Sequence, residues 1–343
     1  MTKRERVESA CAFEPVDLVP FVPAVYEHKA RLAGRFPSEV CRDGGLLREC
    51  LERELEIYGP DMLVVGVDVY NVEAEALGCK VRYFENSADV PAVAAPLFDG
   101  PDGLRKLGLP DPGRDGRMPL LVETAAGLHR DIGREIIVRG ALTGPFSLAS
   151  ALVGTESLLV ATVDDPVFVR RLLEFSAQVT VVFGRAFLEK GVETVVFDSK
   201  ASPAAASPRV FREFVAPVYR DIVVPGLRTA GARQTPLIIG GNTTPVLDDL
   251  IRTGASQLLC DAGSDLGLFR KRCREERRAL RANVDARLVH RGTPKEIRAE
   301  GLRILREAGP GSGFLFGCGV VAYDCDAANV LALREARDEF CSA

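Results

Sequence analysis

The chain predicts an α/β protein folded as a (β/α)8 TIM barrel, with an N-terminal extension and an irregular excursion after the second strand. Three observations lead there. About eight short apolar segments recur along the 343 residues, each followed by a helical stretch or a long loop. Units of that kind in that number suit a closed barrel better than an open doubly wound sheet. No Gly-x-Gly-x-x-Gly turn follows any strand, which counts against the dinucleotide-binding form of the open sheet. No linker divides the chain, so residues 1–343 are expected to form a single barrel domain.

The elements are predicted in order as follows. The first strand is Val19 to Tyr26, and its Pro20 and Pro23 mark an edge or an irregular start. Leu46, Leu47, Cys50, Leu51, Leu55 and Tyr58 recur at helical spacing. Met62 to Asp68 is an apolar strand that ends in an acid. Residues 79–120 are rich in Pro, Gly and Asp and leave the repeating pattern. A core strand resumes over Glu135 to Ala141, and a long helix over Val167 to Lys190 precedes a strand ending at Asp198. Ser207 followed by Pro208 is a helix start, because proline has no N–H to lose there. Strands then fall at Thr235 to Ile239, Gln257 to Asp261, Ala279 to Val284 and Gly313 to Phe316. A helix from Thr293 to Ala308 separates the last two.

In such a barrel the chemistry sits beyond the C-terminal ends of the strands. Polar residues follow almost every predicted strand here. Tyr26, Glu27, His28 and Lys29 follow the first, and Asp68, Tyr70, Asn71, Glu73 and Glu75 the second. Thr143 and Ser147, Asp198 with Ser199 and Lys200, and Gly240-Gly241-Asn242 come next. Cys260-Asp261, Asn283 with Asp285, and Cys318 complete the rim. The convergence of so many polar loops on one mouth points to an enzyme. Asp68 and Asp198 are the candidate catalytic residues, since a carboxyl partly buried at a strand end has a raised pKa or needs a partner. Asp68 reads as a proton donor or acceptor, or an anchor for a cationic or N–H-bearing substrate, ahead of a helix cap. Lys200 is placed to pair with Asp198. His28, Tyr70, Asn71, Glu75, Lys200, Asn242 and Asn283 are the candidate substrate-binding residues, and Cys318 the candidate metal ligand.

Composition narrows the classes. With 47% apolar and 27% charged residues the chain is ordinary for a globular protein. A net charge of -4 and no long basic block give no sign of a nucleic-acid partner. No apolar run reaches the roughly eighteen residues that cross a bilayer, and the N-terminus lacks a signal-peptide core. A cytoplasmic location and no membrane partner are expected. Nine scattered cysteines, an odd number with no Cys-x-x-Cys pair, argue against a disulfide scaffold, and three histidines leave little for a histidine-rich metal site.

Several stretches, in their order and spacing, resemble the uroporphyrinogen decarboxylase family. They include Glu14-Pro-Val-Asp-Leu-Val-Pro20, Tyr58-Gly-Pro-Asp61, Glu73-Ala-Glu-Ala-Leu-Gly78, Thr143-Gly-Pro-Phe-Ser-Leu-Ala149, Gly241-Asn-Thr-Thr-Pro245 and Phe316-Gly-Cys-Gly319. The resemblance implies a (β/α)8 barrel independently of strand counting. It is nearest to the branch that moves methyl groups between a corrinoid protein and a thiol such as coenzyme M. In that branch the stretch around Ile238 reads roughly His-x-Cys-Gly-Asn-Thr, and a distant Gly-Cys completes a zinc site. Here Ile238 stands at the His position and Gly240 at the Cys position, and Cys318 alone remains. Zinc is therefore an implied cofactor with two of its three ligand positions substituted. A corrinoid protein, or a folate, is the implied partner beside a small-molecule substrate, and an oligomer is allowed.

The resemblance also implies that Asp68 occupies the aspartate position of the decarboxylases. Their N-terminal arginine motif is reduced to Ala33-Gly34-Arg35, so the carboxylates of a tetrapyrrole would go unpaired. Three functions follow as expectations. The first is methyl transfer without the usual zinc triad, with Asp68 orienting the substrate. The second is decarboxylation or a related lyase reaction on a small cyclic acid, with Lys200 or Arg139 holding a carboxylate. The third is non-catalytic binding of a corrinoid or pterin.

Overall fold

The computed structural model describes residues 1–309 and 312–342. Its strands are β1 (Met62–Val65), β2 (Val81–Arg82), β3 (Ala92–Val93), β4 (Ile137–Thr143), β5 (Glu193–Phe197), β6 (Leu237–Ile238), β7 (Gln257–Cys260), β8 (Ala279–Val284) and β9 (Phe314–Cys318). One arc runs β1-β4-β5-β6 and another β7-β8-β9, with every neighbouring pair parallel. A parallel bridge from Pro236 to Gln257 joins the arcs on one side. On the other side Phe21 and Ala24 bridge in parallel to Phe316 and Val320, and Asp61 N–H donates to the Phe21 carbonyl at 2.8 Å. The two seams close the barrel.

The first predicted strand is thus present as isolated bridges. Pro20 and Pro23 have no N–H for a ladder; Val22 N–H and the Pro20 carbonyl pair with Phe316 of β9, and the Ala24 carbonyl with Val321 just beyond it. The predicted Glu135 to Ala141 strand lies two residues further on, as β4, and Thr235 to Ile239 is regular only over β6. The excursion at 79–120 folds into the antiparallel hairpin β2–β3, a short helix Gly100–Leu104 and the entry to helix Met118–Ile132.

The helices begin and end where local chemistry dictates. Asp43 accepts from Gly45 and Leu46 N–H at the start of Gly44–Tyr58, and Gly59 ends that helix in the left-handed region at φ 59°. Asp165 caps the long helix Pro166–Glu189, and Thr293 with Glu296 forms a capping box on Pro294–Ala308. The helix opened by Ser207 includes two π-helical turns, Phe211–Val215 and Tyr219–Val223.

Inside the barrel the side chains stack in layers. Val7, Val22, Met62, Ile137, Ala279 and Leu315 fill the end nearest the strand N-termini. Helix Lys3–Ala12 closes that end, anchored by the buried Arg6, which binds Asp17 at 2.7 Å and Asp61 at 2.5 Å. Tyr26, Val69, Ala141, Phe197, Ile238 and Leu259 form the apolar layer toward the opposite mouth. With one end plugged, ligands are left the C-terminal mouth.

Candidate active site

A cavity of about 280 Å³ opens at that mouth. Its apolar wall comes from Val67, Phe197, Ile238, Leu259 and Val320. Its polar groups are Tyr26, Glu27, Asp68, Tyr70, Asn71, Ser199, Asp261, Arg281 and Asn283. Small apolar pockets with a few convergent polar groups are the usual form of a ligand site.

Asp68 reaches this cavity because Gly66, at φ 138°, turns the chain sharply after β1. The side chain is 5% exposed. Arg117 grips both its oxygens, Nη1 to Oδ1 at 2.9 Å and Nη2 to Oδ2 at 2.8 Å. The same guanidinium binds Glu75 through Nε at 2.5 Å and lies over the Tyr83 ring, whose hydroxyl donates to Glu75 at 2.8 Å. Burial pushes the Asp68 carboxyl above the ordinary carboxylate range, and Arg117 pulls it back. Asn71 donates to the Pro91 carbonyl and stands 3.5 Å from Asp68 Oδ2, which ties this corner to the hairpin loop. Glu75 therefore supports the wall from behind and does not line the cavity.

Asp198 has a different setting. It is fully buried and accepts Ser147 N–H at 2.7 Å, Ser147 Oγ at 2.7 Å, Tyr219 Oη at 2.8 Å and Phe146 N–H at 3.2 Å. These donors include the first turn of helix Pro145–Val153, so the carboxylate caps that helix and meets the positive end of its dipole. Burial raises its pKa while the donors lower it. Gly144 must lack a side chain, because a Cβ there would strike the Tyr219 hydroxyl and Asp198. Asp198 is not among the lining residues. The expected pairing with Lys200 is not formed: Lys200 is exposed, and Asp198 has used its acceptors on the helix and Tyr219.

Other expected substrate-binding residues divide. Tyr70, Asn71 and Asn283 line the cavity, and the Tyr70 hydroxyl meets Ser199 Oγ. His28 is buried away from it, with Nε2 2.7 Å from the Tyr58 hydroxyl and Nδ1 3.0 Å from the Tyr323 carbonyl. Asn242 is exposed and caps its own turn by accepting from Thr244 N–H at 3.1 Å. Lys29 is buried behind β1, donating to the Val64 and Gly66 carbonyls, with Glu54 at 3.5 Å. Arg139 lies inside the barrel bonded to Gln234 and Gln257, and is also absent from the lining.

Arg117, Arg281, Asp261 and Glu27 stand at the site but were not among the catalytic, substrate-binding or metal candidates. Arg117 comes from the end of the excursion, far in sequence from its partner. Arg281 and Asn283 sit two apart on β8, so both project to the inner face. An arginine inside an apolar strand was the available signal. Arg281 Nε donates to Asn283 Oδ1 at 3.1 Å, and Asn283 Nδ2 donates to Asp261 Oδ1 at 3.1 Å. Asp261 Oδ2 accepts Gly241 N–H at 2.8 Å, a geometry that Gly241 permits at φ 79°. Glu27 also lines the cavity, and burial raises its pKa.

The donor set does not fit zinc. Cys318 is fully buried, its thiol pushed up to about 11 by burial, and it is not among the lining residues. Ile238 and Gly240, which do line the cavity, carry no ligating atoms. Among the described residues no group of three or more His, Cys, Asp or Glu side chains could hold a metal ion.

Comparison with known proteins agrees with this architecture. A family model described as Uroporphyrinogen decarboxylase (URO-D) matches residues 2–340. The chain is 26% identical to a uroporphyrinogen decarboxylase of Thioalkalivibrio sulfidiphilus, covering 92% of each. It is also 26% identical to the methylcobamide:CoM methyltransferase MtbA of Methanosarcina mazei, covering 94% of this chain and 93% of the relative. The solved structure of a methyltransferase from Methanosarcina mazei superposes with a TM-score of 0.88 at 23% identity over 99% of both chains.

Proposed function

The chain belongs to the uroporphyrinogen decarboxylase family, whose relatives here are decarboxylases and methyltransferases, and from that premise we propose that it is a methyltransferase. It moves a methyl group between a heteroatom of a small molecule and an acceptor such as a protein-bound corrinoid, without a zinc-held thiolate. The observation that carries this reading is the charge of the cavity wall. Arg281 is the one arginine among the lining residues, no lysine joins it, and three acids stand beside it. A tetrapyrrole bearing many carboxylates would leave most of them facing carboxylates or apolar wall. A small, largely apolar substrate with a methyl group to give fits the volume and the wall.

The residues divide the work. When the methyl group leaves its heteroatom, the bonding pair stays on that atom, which takes up a proton. Glu27, held above the ordinary carboxyl range by burial, supplies it. Asp68, fixed by Arg117, keeps acceptor capacity on both oxygens and orients a donor group of the substrate. The apolar wall excludes water from the transferring carbon. The reading is tested by incubating purified protein with methylcobalamin or methyltetrahydrofolate and candidate acceptors, and following loss of the donor. Protein-dependent demethylation supports it; none with either donor contradicts it.

A lyase acting on a small acid is the second reading. Arg281, and neither Lys200 nor Arg139, would hold the carboxylate there, since it alone of the three lines the cavity.

A further inference from the structure

We infer that the ligand of this cavity is a small monocarboxylate with an apolar body, and that Arg281 receives its carboxylate. The inference rests on reading the cavity as the active site. Arg281 is 5% exposed and lines the cavity. Its bonds go to neutral acceptors: Nε to Asn283 Oδ1 at 3.1 Å and Nη2 to the Cys318 carbonyl at 3.0 Å. Three of the other buried arginines are neutralised by pairs of carboxylates, while Arg139 bonds Gln234 and Gln257 and lies off the cavity. Arg6 binds Asp17 and Asp61, Arg117 binds Asp68 and Glu75, and Arg337 binds Asp61 and Asp338. No ion pair of Arg281 is found among the described residues.

The acid that could neutralise Arg281 is held away from it. Asp261 spends Oδ1 on Asn283 and Oδ2 on Gly241 N–H, so Asn283 stands between the carboxylate and the guanidinium. The Asn283 amide is also fixed in orientation, its oxygen toward Arg281 and its nitrogen toward Asp261. A buried cation without a counter-ion is costly, and an anionic ligand relieves that cost on binding. One guanidinium matches one negative charge in the planar geometry of a carboxylate. Glu27, Asp68 and Asp261 on the same wall oppose a dianion such as a phosphate monoester. Phe197, Ile238 and Leu259 receive the apolar body.

The test is titration calorimetry with benzoate and hexanoate, each beside its neutral primary amide. The acids are expected to bind at least about tenfold more tightly than the amides. Arg281→Gln erases that preference, and Arg281→Lys keeps a weakened form of it. Circular dichroism melts of the two variants show whether each is folded, and the Lys variant carries the test if the Gln variant is not. Equal binding of acid and amide overturns the inference, as does acid binding unchanged in both variants, or no binding of either class. Methyl transfer measured on the same protein separates the two levels. If transfer persists while the acids prove inert, the carboxylate assignment falls and the proposed activity stands.

Discussion

Arg117 binds Asp68 through two nitrogens at 2.8 and 2.9 Å, across 49 residues of chain. The pair links the irregular excursion to the end of β1, and its carboxylate faces the cavity. The excursion thereby delivers the cation that holds the central acid in place.

Arg117→Met therefore leaves Asp68 and Glu75 without their cation in a buried corner. Loss of one partner from such a pair costs about 3–5 kcal/mol, measured as a lower urea midpoint with unchanged m-value. Asp68→Asn is milder for stability, because the amide oxygen still accepts from Arg117. Substrate affinity and turnover in that variant are both expected to fall, because the amide offers the substrate's donor group one acceptor fewer than the carboxylate.

Asp198 differs from Asp68 in spending its acceptors within the fold and in not lining the cavity. Asp198→Ala strands four donors, among them the helix N–H groups of Phe146 and Ser147. Unfolding titrations should show a loss of several kcal/mol, at about 1–3 kcal/mol per orphaned buried group. Tyr219→Phe, which removes one donor, should cost about 1 kcal/mol and leave turnover per folded molecule unchanged.

Glu73 sets a pH dependence. It is fully buried, accepts Thr143 N–H and Thr143 Oγ1 at 2.6 Å, and its carboxyl is raised by burial from 4.5 to about 7. The folded state thus binds a proton that the unfolded state has released. The stability gained from that proton is complete below pH 4.5 and is lost as pH rises through about 7. Glu73→Gln cannot ionise, so denaturation series across this window should show a flatter stability profile. Its advantage over the parent should be greatest at the alkaline end.

The architecture was legible because burial in a barrel writes apolar runs at regular intervals, and polar residues after them mark the mouth. Asp68, Tyr70, Asn71 and Asn283 were placed at the mouth by position alone, and all four line the cavity. Asp198 and His28 stand at equally apolar strand ends, but their partners, Tyr219 and Tyr58, lie on helices that strand patterning does not place. Pro20 and Pro23 signalled the irregular first segment, since each removes a ladder donor. Arg117 was hidden because its partner is chosen by the fold of the excursion, where no periodicity fixes direction. Arg281 was visible as a charge at an inward position of β8 and is the clearest signal passed over.

Chelation bears on the implied metal. Dialysis against EDTA is expected to leave the melting temperature unchanged, and elemental analysis of protein and Cys318→Ser to show no stoichiometric zinc, because the buried thiol has no partner ligands among the described residues.

The most direct measurement is the rate of methyltetrahydrofolate demethylation by chelator-treated protein with cob(I)alamin supplied as acceptor, a direction in which the folate nitrogen keeps the bonding pair and takes up a proton. Methyl transfer without zinc predicts an undiminished rate after treatment and a severe loss in Glu27→Gln. A rate that disappears with the metal and returns when zinc is restored would contradict it, as would full activity in Glu27→Gln.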